Sequence, residues 1–245
     1  MSDNLNIEFI ANRPWLNEES PNRPQPISKV IPEWYREADR FYKDPNTQEF
    51  YVGPDGGKIP TWKACPAIFD MFITGYAYLT PCDIEFFIND EGKIDRRIED
   101  PNYQDFCTTR VPLEGFYQPD GYYLDHFAWF PDWAVKLPEG YSALYITPSN
   151  NFGLPFVMTE GIIDNDNINL PGSFPFFVKE GFTGIVPAGT PYAQIIPFKR
   201  DDWTSSYRID DHKTMYESNV ENSKKYRVPD GGVYKNEVWQ KRTYS

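Results

Sequence analysis

Phe174-Pro175-Phe176-Phe177-Val178, Gly184-Ile185-Val186 and Pro191-Tyr192-Ala193-Gln194-Ile195-Ile196-Pro197-Phe198 are three short apolar runs. Glu180-Gly181 and Pro187-Ala188-Gly189-Thr190 stand between them. Runs of this length, rich in aromatic and β-branched side chains and bounded by Gly and Pro, suit the pleated surface of a strand. The same punctuation recurs upstream. It predicts strands over 67–79, 83–89, 142–147, 155–163, 173–178, 183–187 and 191–198, with a first alternating strand at 6–11. Such spacing suits a mainly β sandwich, a jelly-roll-like fold or a closed barrel.

Composition agrees. The 245 residues include 23 Pro and 16 Gly, with 7 Trp, 17 Tyr and 18 Phe. Proline interrupts helix interiors, so a helical bundle is excluded. The aromatic load excludes a disordered chain. Lys and Arg number 24 against 36 Asp and Glu, a net charge of −12. That balance excludes general binding to nucleic acid or to an anionic membrane, because nothing offsets the phosphate repulsion.

One N-terminal amphipathic helix is expected. Ile31, Trp34, Tyr35, Ala38, Phe41 and Tyr42 share a face at 3.6 residues per turn, and Pro32 suits the first turn. Residues 12–30 read as an extended arm, and 95–110 as a charged surface excursion. Residues 1–205 read as a single β-rich domain with the arm and helix (1–45) packed on it. An irregular, polar and basic C-terminal tail (206–245) follows, with a short helix at 211–222. Pro54-Asp55-Gly56, Pro119-Asp120-Gly121 and Pro229-Asp230-Gly231 read as turns.

Cys65, Cys82 and Cys107 are widely spaced, so a zinc clip is disfavoured and free thiols of a reducing cell are expected. Met1–Ile10 lacks the basic and apolar regions of a secretory signal. A cytoplasmic protein without a membrane span is expected, in the host cytoplasm or a virion if phage-encoded.

Two groups of residues are candidates for chemistry. His126 lies in Asp125-His126-Phe127-Ala128-Trp129-Phe130-Pro131-Asp132-Trp133, the densest aromatic cluster. It reads either as a buried histidine in an aromatic layer or as a pocket walled by Trp129 and Trp133 with one titratable group. His126 and His212 are the only histidines, and no metal-ligand spacing surrounds them, so no metal site is expected. The second group is Asp164 and Asp166 in Gly161-Ile162-Ile163-Asp164-Asn165-Asp166-Asn167, with Ser149 and Gln194.

Tyr145-Ile146-Thr147-Pro148-Ser149-Asn150-Asn151-Phe152-Gly153-Leu154, the Gly161–Asn167 hairpin and the Gly184–Phe198 run resemble, in order and spacing, the dUTP diphosphatase and dCTP deaminase superfamily. The resemblance covers about 55 residues. It implies a β-clip architecture and a homotrimer. It also implies Asp164 as the water-activating carboxylate, Ser149 in the phosphate loop and Gln194 as the strand glutamine, with magnesium as a companion of the nucleotide. Asp166 accompanies Asp164 as a binding candidate. Asn167 stands where the family has a tyrosine on the deoxyribose, and the phosphate-loop arginine and Gly-rich closing motif are absent. A triphosphate needs compensating positive charge, so these departures favour the shared architecture with lost or altered chemistry.

The chain as a whole also resembles an uncharacterised family of β-rich proteins of tailed phages and some bacteria. The stretches that carry this are Ile31-Pro32-Glu33-Trp34-Tyr35, Thr61-Trp62-Lys63-Ala64-Cys65-Pro66, Gly189 to Trp203 and Tyr234 to Arg242. Three functions stay open on this basis. The first is a non-enzymatic phage-type protein with a structural, assembly or binding role, forming homo-oligomers or engaging phage or host proteins, without a cofactor. The second is a deoxynucleotide-acting enzyme built on Asp164. The third is a small-molecule enzyme or binder around His126.

Overall fold

A computed structural model describes residues 5–54, 56–110, 117–209, 211–226 and 234–245. The turn expected at 229–231 and Asp55 of the turn at 54–56 lie outside them. The chain forms two compact units. The first comprises Met1–Val30, Gly75–Arg200 and Tyr244–Ser245, and the second Ile31–Thr74 and Asp201–Thr243.

All fourteen described strands belong to the first unit: β1 (Glu8–Ala11), β2 (Gln25–Pro26), β3 (Tyr76–Leu79), β4 (Ile84–Ile88), β5 (Ile94–Arg97), β6 (Cys107–Arg110), β7 (His126–Trp129), β8 (Trp133–Lys136), β9 (Tyr141–Ile146), β10 (Phe156–Met158), β11 (Gly161–Ile163), β12 (Phe174–Val178), β13 (Gly184–Val186) and β14 (Pro191–Lys199). They pair antiparallel in four sheets, ordered β11-β9-β14-β3-β2, β10-β12-β7-β6, β13-β4-β5 and β1-β8. The fold is mainly β and sandwich-like. Among the described residues no sheet closes on itself, which corrects the closed-barrel option.

The core of this unit is aromatic. Trp129 of β7 stacks on Phe176 of β12 with ring centroids 3.8 Å apart and planes at 3°. Tyr192 of β14 reaches Trp129 at 5.3 Å and Tyr78 of β3 at 5.8 Å. Aromatics arriving from two sheets therefore interdigitate, and their burial is the main stabilising term. Gly75, at φ +85°, lets β3 approach β14; a Cβ there would collide with the Ile195 carbonyl oxygen. The N-terminal arm is tied in by a buried carboxylate: Asp132 accepts from Arg13 Nε at 3.0 Å and from Asn22 Nδ2 at 2.8 Å. Burial still pushes the Asp132 carboxyl upward, against the pull of Arg13.

Several expected elements change. The run at 67–79 divides into a helix and a strand: residues Pro66–Ile73 are helical, and only Tyr76–Leu79 is extended. Pro66 opens that helix, and its apolar side chains, interrupted only by Asp70, do not alternate strictly, a pattern that fits either structure. The 155–163 run divides into β10 and β11, which join different sheets. The 95–110 excursion contains β5 and β6, with Phe106 and Cys107 in the core.

In the second unit the helices are α1 (Glu33–Glu37), α2 (Pro66–Ile73) and α3 (His212–Tyr226). The helix expected through Tyr42 thus stops at Glu37. Ala38 turns extended (φ −55°, ψ 136°), and the Tyr42 N–H donates to the Ile59 carbonyl at 2.9 Å. Ladder bonds reward the β-favouring Phe41 and Tyr42 more than a further helical turn does. The tail is less irregular than expected, since α3 runs past the expected end at 222. Among the described residues no helix is long and apolar enough to cross a membrane.

Candidate functional site

The sequence places Asp164 and Asp166 just after β11, and local pairing fixes their direction. β11 pairs antiparallel with β9 (Gly161 opposite Tyr145, Ile163 opposite Ala143). The chain then turns, with the Asn167 N–H donating to the Asp164 carbonyl at 3.0 Å. Between the two aspartates Asn165 points inward and is buried. Its Oδ1 accepts from the Tyr145 hydroxyl at 3.0 Å, and its Nδ2 donates to the Val135 carbonyl at 3.3 Å. With Asn165 held inside, its neighbours are presented on the edge of the β11-β9-β14 sheet.

Arg200 meets them there. It follows β14, and its N–H donates to the Gly140 carbonyl at 2.9 Å. Its guanidinium forks onto Asp166, with Nη1 2.8 Å from Oδ1 and Nη2 on Oδ2. Nη1 also donates to the Tyr141 carbonyl at 3.0 Å and to Ser142 Oγ at 3.1 Å. Asp166 Oδ2 accepts from the Gly140 N–H at 2.8 Å, and the Asp166 side chain is only 4% exposed. The Arg200 hydrogen bonds, with help from Gly140, hold this carboxyl at about 2 despite burial. Arg200 is raised in turn, chiefly by Asp166. A two-pronged charge-assisted pair of this kind fixes geometry as well as charge.

Asp164 sits at the rim of the same arrangement. Its Oδ1 accepts from the Ser142 hydroxyl at 2.6 Å and lies 3.4 Å from Arg200 Nη1, while the side chain is 57% exposed. Asp164 thus reaches water, but one of its oxygens is already bonded and beside a cation.

Ser149 and Gln194 form a second pair. Gln194 is buried on β14, and its Oε1 accepts from the Ser149 backbone N–H at 2.9 Å. The loop at Ser149 turns through Asn150 in the left-handed region, at φ +55°. The pair stands apart from the aspartates. Gln194 lies opposite Ile146 and Phe198 opposite Ser142, a separation of about 13 Å along β9.

The third group lies mostly in the core. Trp129 is fully buried in the stack on Phe176, and Trp133 is buried on β8, where its carbonyl accepts from the Tyr78 hydroxyl at 2.6 Å. His126, at the start of β7, is half-buried and stacks on Phe177 with centroids 5.2 Å apart. Burial and the nearby Arg110 lower its pKa against the opposing pull of Asp125. The aromatic density of 125–133 thus belongs to two core strands. Cys82 and Cys107 are buried and Cys65 is half-buried, all three free; burial pushes the Cys82 thiol up to about 12.

No family model and no curated protein matches the chain. Among solved structures it is similar to a dUTPase from phage phi11 of S. aureus, at 16% identity and a TM-score of 0.25, over 42% of this chain and 94% of that one. A mutant of that dUTPase, solved for its structural Mg(II) ion, gives 17% identity and a TM-score of 0.23 over the same shares. Among the described residues of this chain, no cluster of three or more His, Cys, Asp or Glu side chains is placed to hold a metal.

Arg200 and Ser142 are the residues of this site that sequence reasoning missed. The available signal was slight: an arginine ending the strand Pro191–Lys199, 34 residues from its aspartate.

Proposed function

We propose that this chain is a non-enzymatic β-rich protein with a binding or assembly role, working in homo-oligomers or with phage or host proteins. The observation that carries this reading is the closure of the Asp164–Asp166 hairpin by Arg200. The cation that a bound phosphate would need is already committed to Asp166. The second unit supports a binding role. Trp203, Tyr207 and Ile209 are 89%, 86% and 83% exposed. Large apolar side chains this exposed within a few residues of one another suit contact with a partner.

A second reading, a deoxynucleotide-acting enzyme, draws support from the Gln194–Ser149 hydrogen bond. It joins the strand glutamine to the loop that the superfamily resemblance assigns to phosphates. Purified protein incubated with each deoxynucleoside triphosphate and magnesium, beside Asp164→Ala, separates the two. No release of pyrophosphate or ammonia above the variant is expected. Turnover that Asp164→Ala abolishes would establish the enzyme instead. Sedimentation velocity tests the assembly role: a mass at a multiple of 28.6 kDa is expected for self-association.

A further inference from the structure

The second unit holds a cavity of about 290 Å³ that the hairpin reading leaves unused. Its lining joins Tyr35 of α1, Arg40, Lys63, Cys65 and Phe69 to Lys235 and Trp239 from the C-terminal segment. Three of these side chains are cationic and none is acidic, in a chain whose net charge is −12. Among the described residues no carboxylate forms an ion pair with Arg40, Lys63 or Lys235. Lys63 Nζ donates to the Arg36 carbonyl at 2.5 Å, a neutral partner that leaves the charge uncompensated.

The aromatic walls are fixed. Trp239 Nε1 donates to Asp70 Oδ1 at 2.9 Å, and Arg242 holds the other oxygen of Asp70 at 2.6 Å. The Phe69 and Trp239 rings meet edge-on at 6.2 Å. Tyr35 packs on Phe72 at 4.1 Å and is only 4% exposed, yet its hydroxyl has no hydrogen-bond partner. A buried hydroxyl without a partner costs free energy that a bound acceptor would recover. Converging cations, a fixed aromatic wall and an orphaned donor are what a site for an aromatic anion requires.

We propose that this cavity binds a small aromatic molecule carrying one oxyanion group, a carboxylate or a phosphate monoester. The ring lies against Trp239 and Phe69. The oxyanion is held by Arg40, Lys63 and Lys235 and takes a hydrogen bond from the Tyr35 hydroxyl.

Calorimetric titration of the full chain tests this with three probes: phenyl phosphate, benzyl alcohol (a ring without charge) and inorganic phosphate (charge without a ring). One-to-one binding of phenyl phosphate, about tenfold or more tighter than either control, is expected. Arg40→Met and Tyr35→Phe should each weaken it about fivefold or more, as lost charged or buried hydrogen bonds do. The Trp239 indole N–H resonance, identified with Trp239→Phe, should shift as phenyl phosphate is added to the unaltered protein; this readout stands even if a variant fails to fold. Benzyl alcohol or inorganic phosphate binding as tightly as phenyl phosphate would overturn the proposal. So would no binding of phenyl phosphate, or a Trp239 resonance that stays in place.

Discussion

The two units differ in where their largest aromatic side chains lie, although each holds both buried and exposed rings. In the first, Trp129, Tyr78, Tyr192 and Phe176 are all less than 2% exposed and stack between sheets. In the second, Trp62, Trp203 and Tyr207 are more than half exposed. Aromatic density in a sequence therefore does not locate a binding surface by itself. What separates the cases is whether neighbouring strands bring a second layer of rings, as β12 does for β7. Polar groups do not divide in the same way. In the first unit Asp166, Asn165 and Gln194 hold backbone and side chains, yet the buried indole N–H groups of Trp129 and Trp133 have no partner there, and in the second unit the buried Tyr35 hydroxyl has none.

Mutations can break or sharpen this comparison. The largest effect belongs to Trp129→Ala, which removes a ring stacked at 3.8 Å in a full core. A loss of about 3–5 kcal/mol is expected in urea unfolding. A loss under about 1 kcal/mol would place Trp129 in a surface-like environment and erase the contrast. Next comes Gln194→Leu, which keeps the volume but strands the Ser149 N–H. A cost of about 1–3 kcal/mol is expected by the same method.

Arg200→Met should lower the melting temperature with a defined pH dependence. The Asp166 carboxyl is held down at about 2, below its ordinary value, so its pairing stabilises the fold above that ordinary value. That contribution fades as pH falls toward 2. The difference between the two proteins is therefore expected in full at neutral pH and should shrink steadily in acid; a difference independent of pH would show that Arg200 acts through packing alone. The smallest effect is expected for Trp203→Ser, within about 0.5 kcal/mol, because the side chain is exposed in the single chain. A large loss there would mean that Trp203 is already covered by a partner.

Much of the β framework was legible. The expected strands 142–147, 173–178 and 191–198 fall within a residue of Tyr141–Ile146, Phe174–Val178 and Pro191–Lys199. Gly and Pro punctuate them, and their apolar faces meet the core. The helix Pro66–Ile73 was misread because a short, mostly apolar run, broken only by Asp70, is too brief for its period to distinguish helix from strand. β5 was hidden by its charges: Asp95, Arg96 and Arg97 suggest a loop, but Arg97 pairs with Glu85 on the adjacent β4. Of the candidate site, Asp164, Asp166, Ser149 and Gln194 were visible as motif residues, but the hydrogen bond that joins Gln194 to the Ser149 loop was not. Arg200 was not, because only the antiparallel pairing of β14 with β9 brings it to Asp166. For Trp129 and Trp133 the sequence left a core aromatic layer and a pocket wall open, and both rings are buried; the strands that carry them were not among those expected.

The central claim is that Asp166 is held in an ion pair with Arg200. Carboxyl carbon NMR of Asp166, followed through an acid titration, tests it most directly. A midpoint near about 2 is expected, moving upward in Arg200→Met. A midpoint in the ordinary carboxylate range of about 4, unchanged by Arg200→Met, would contradict it.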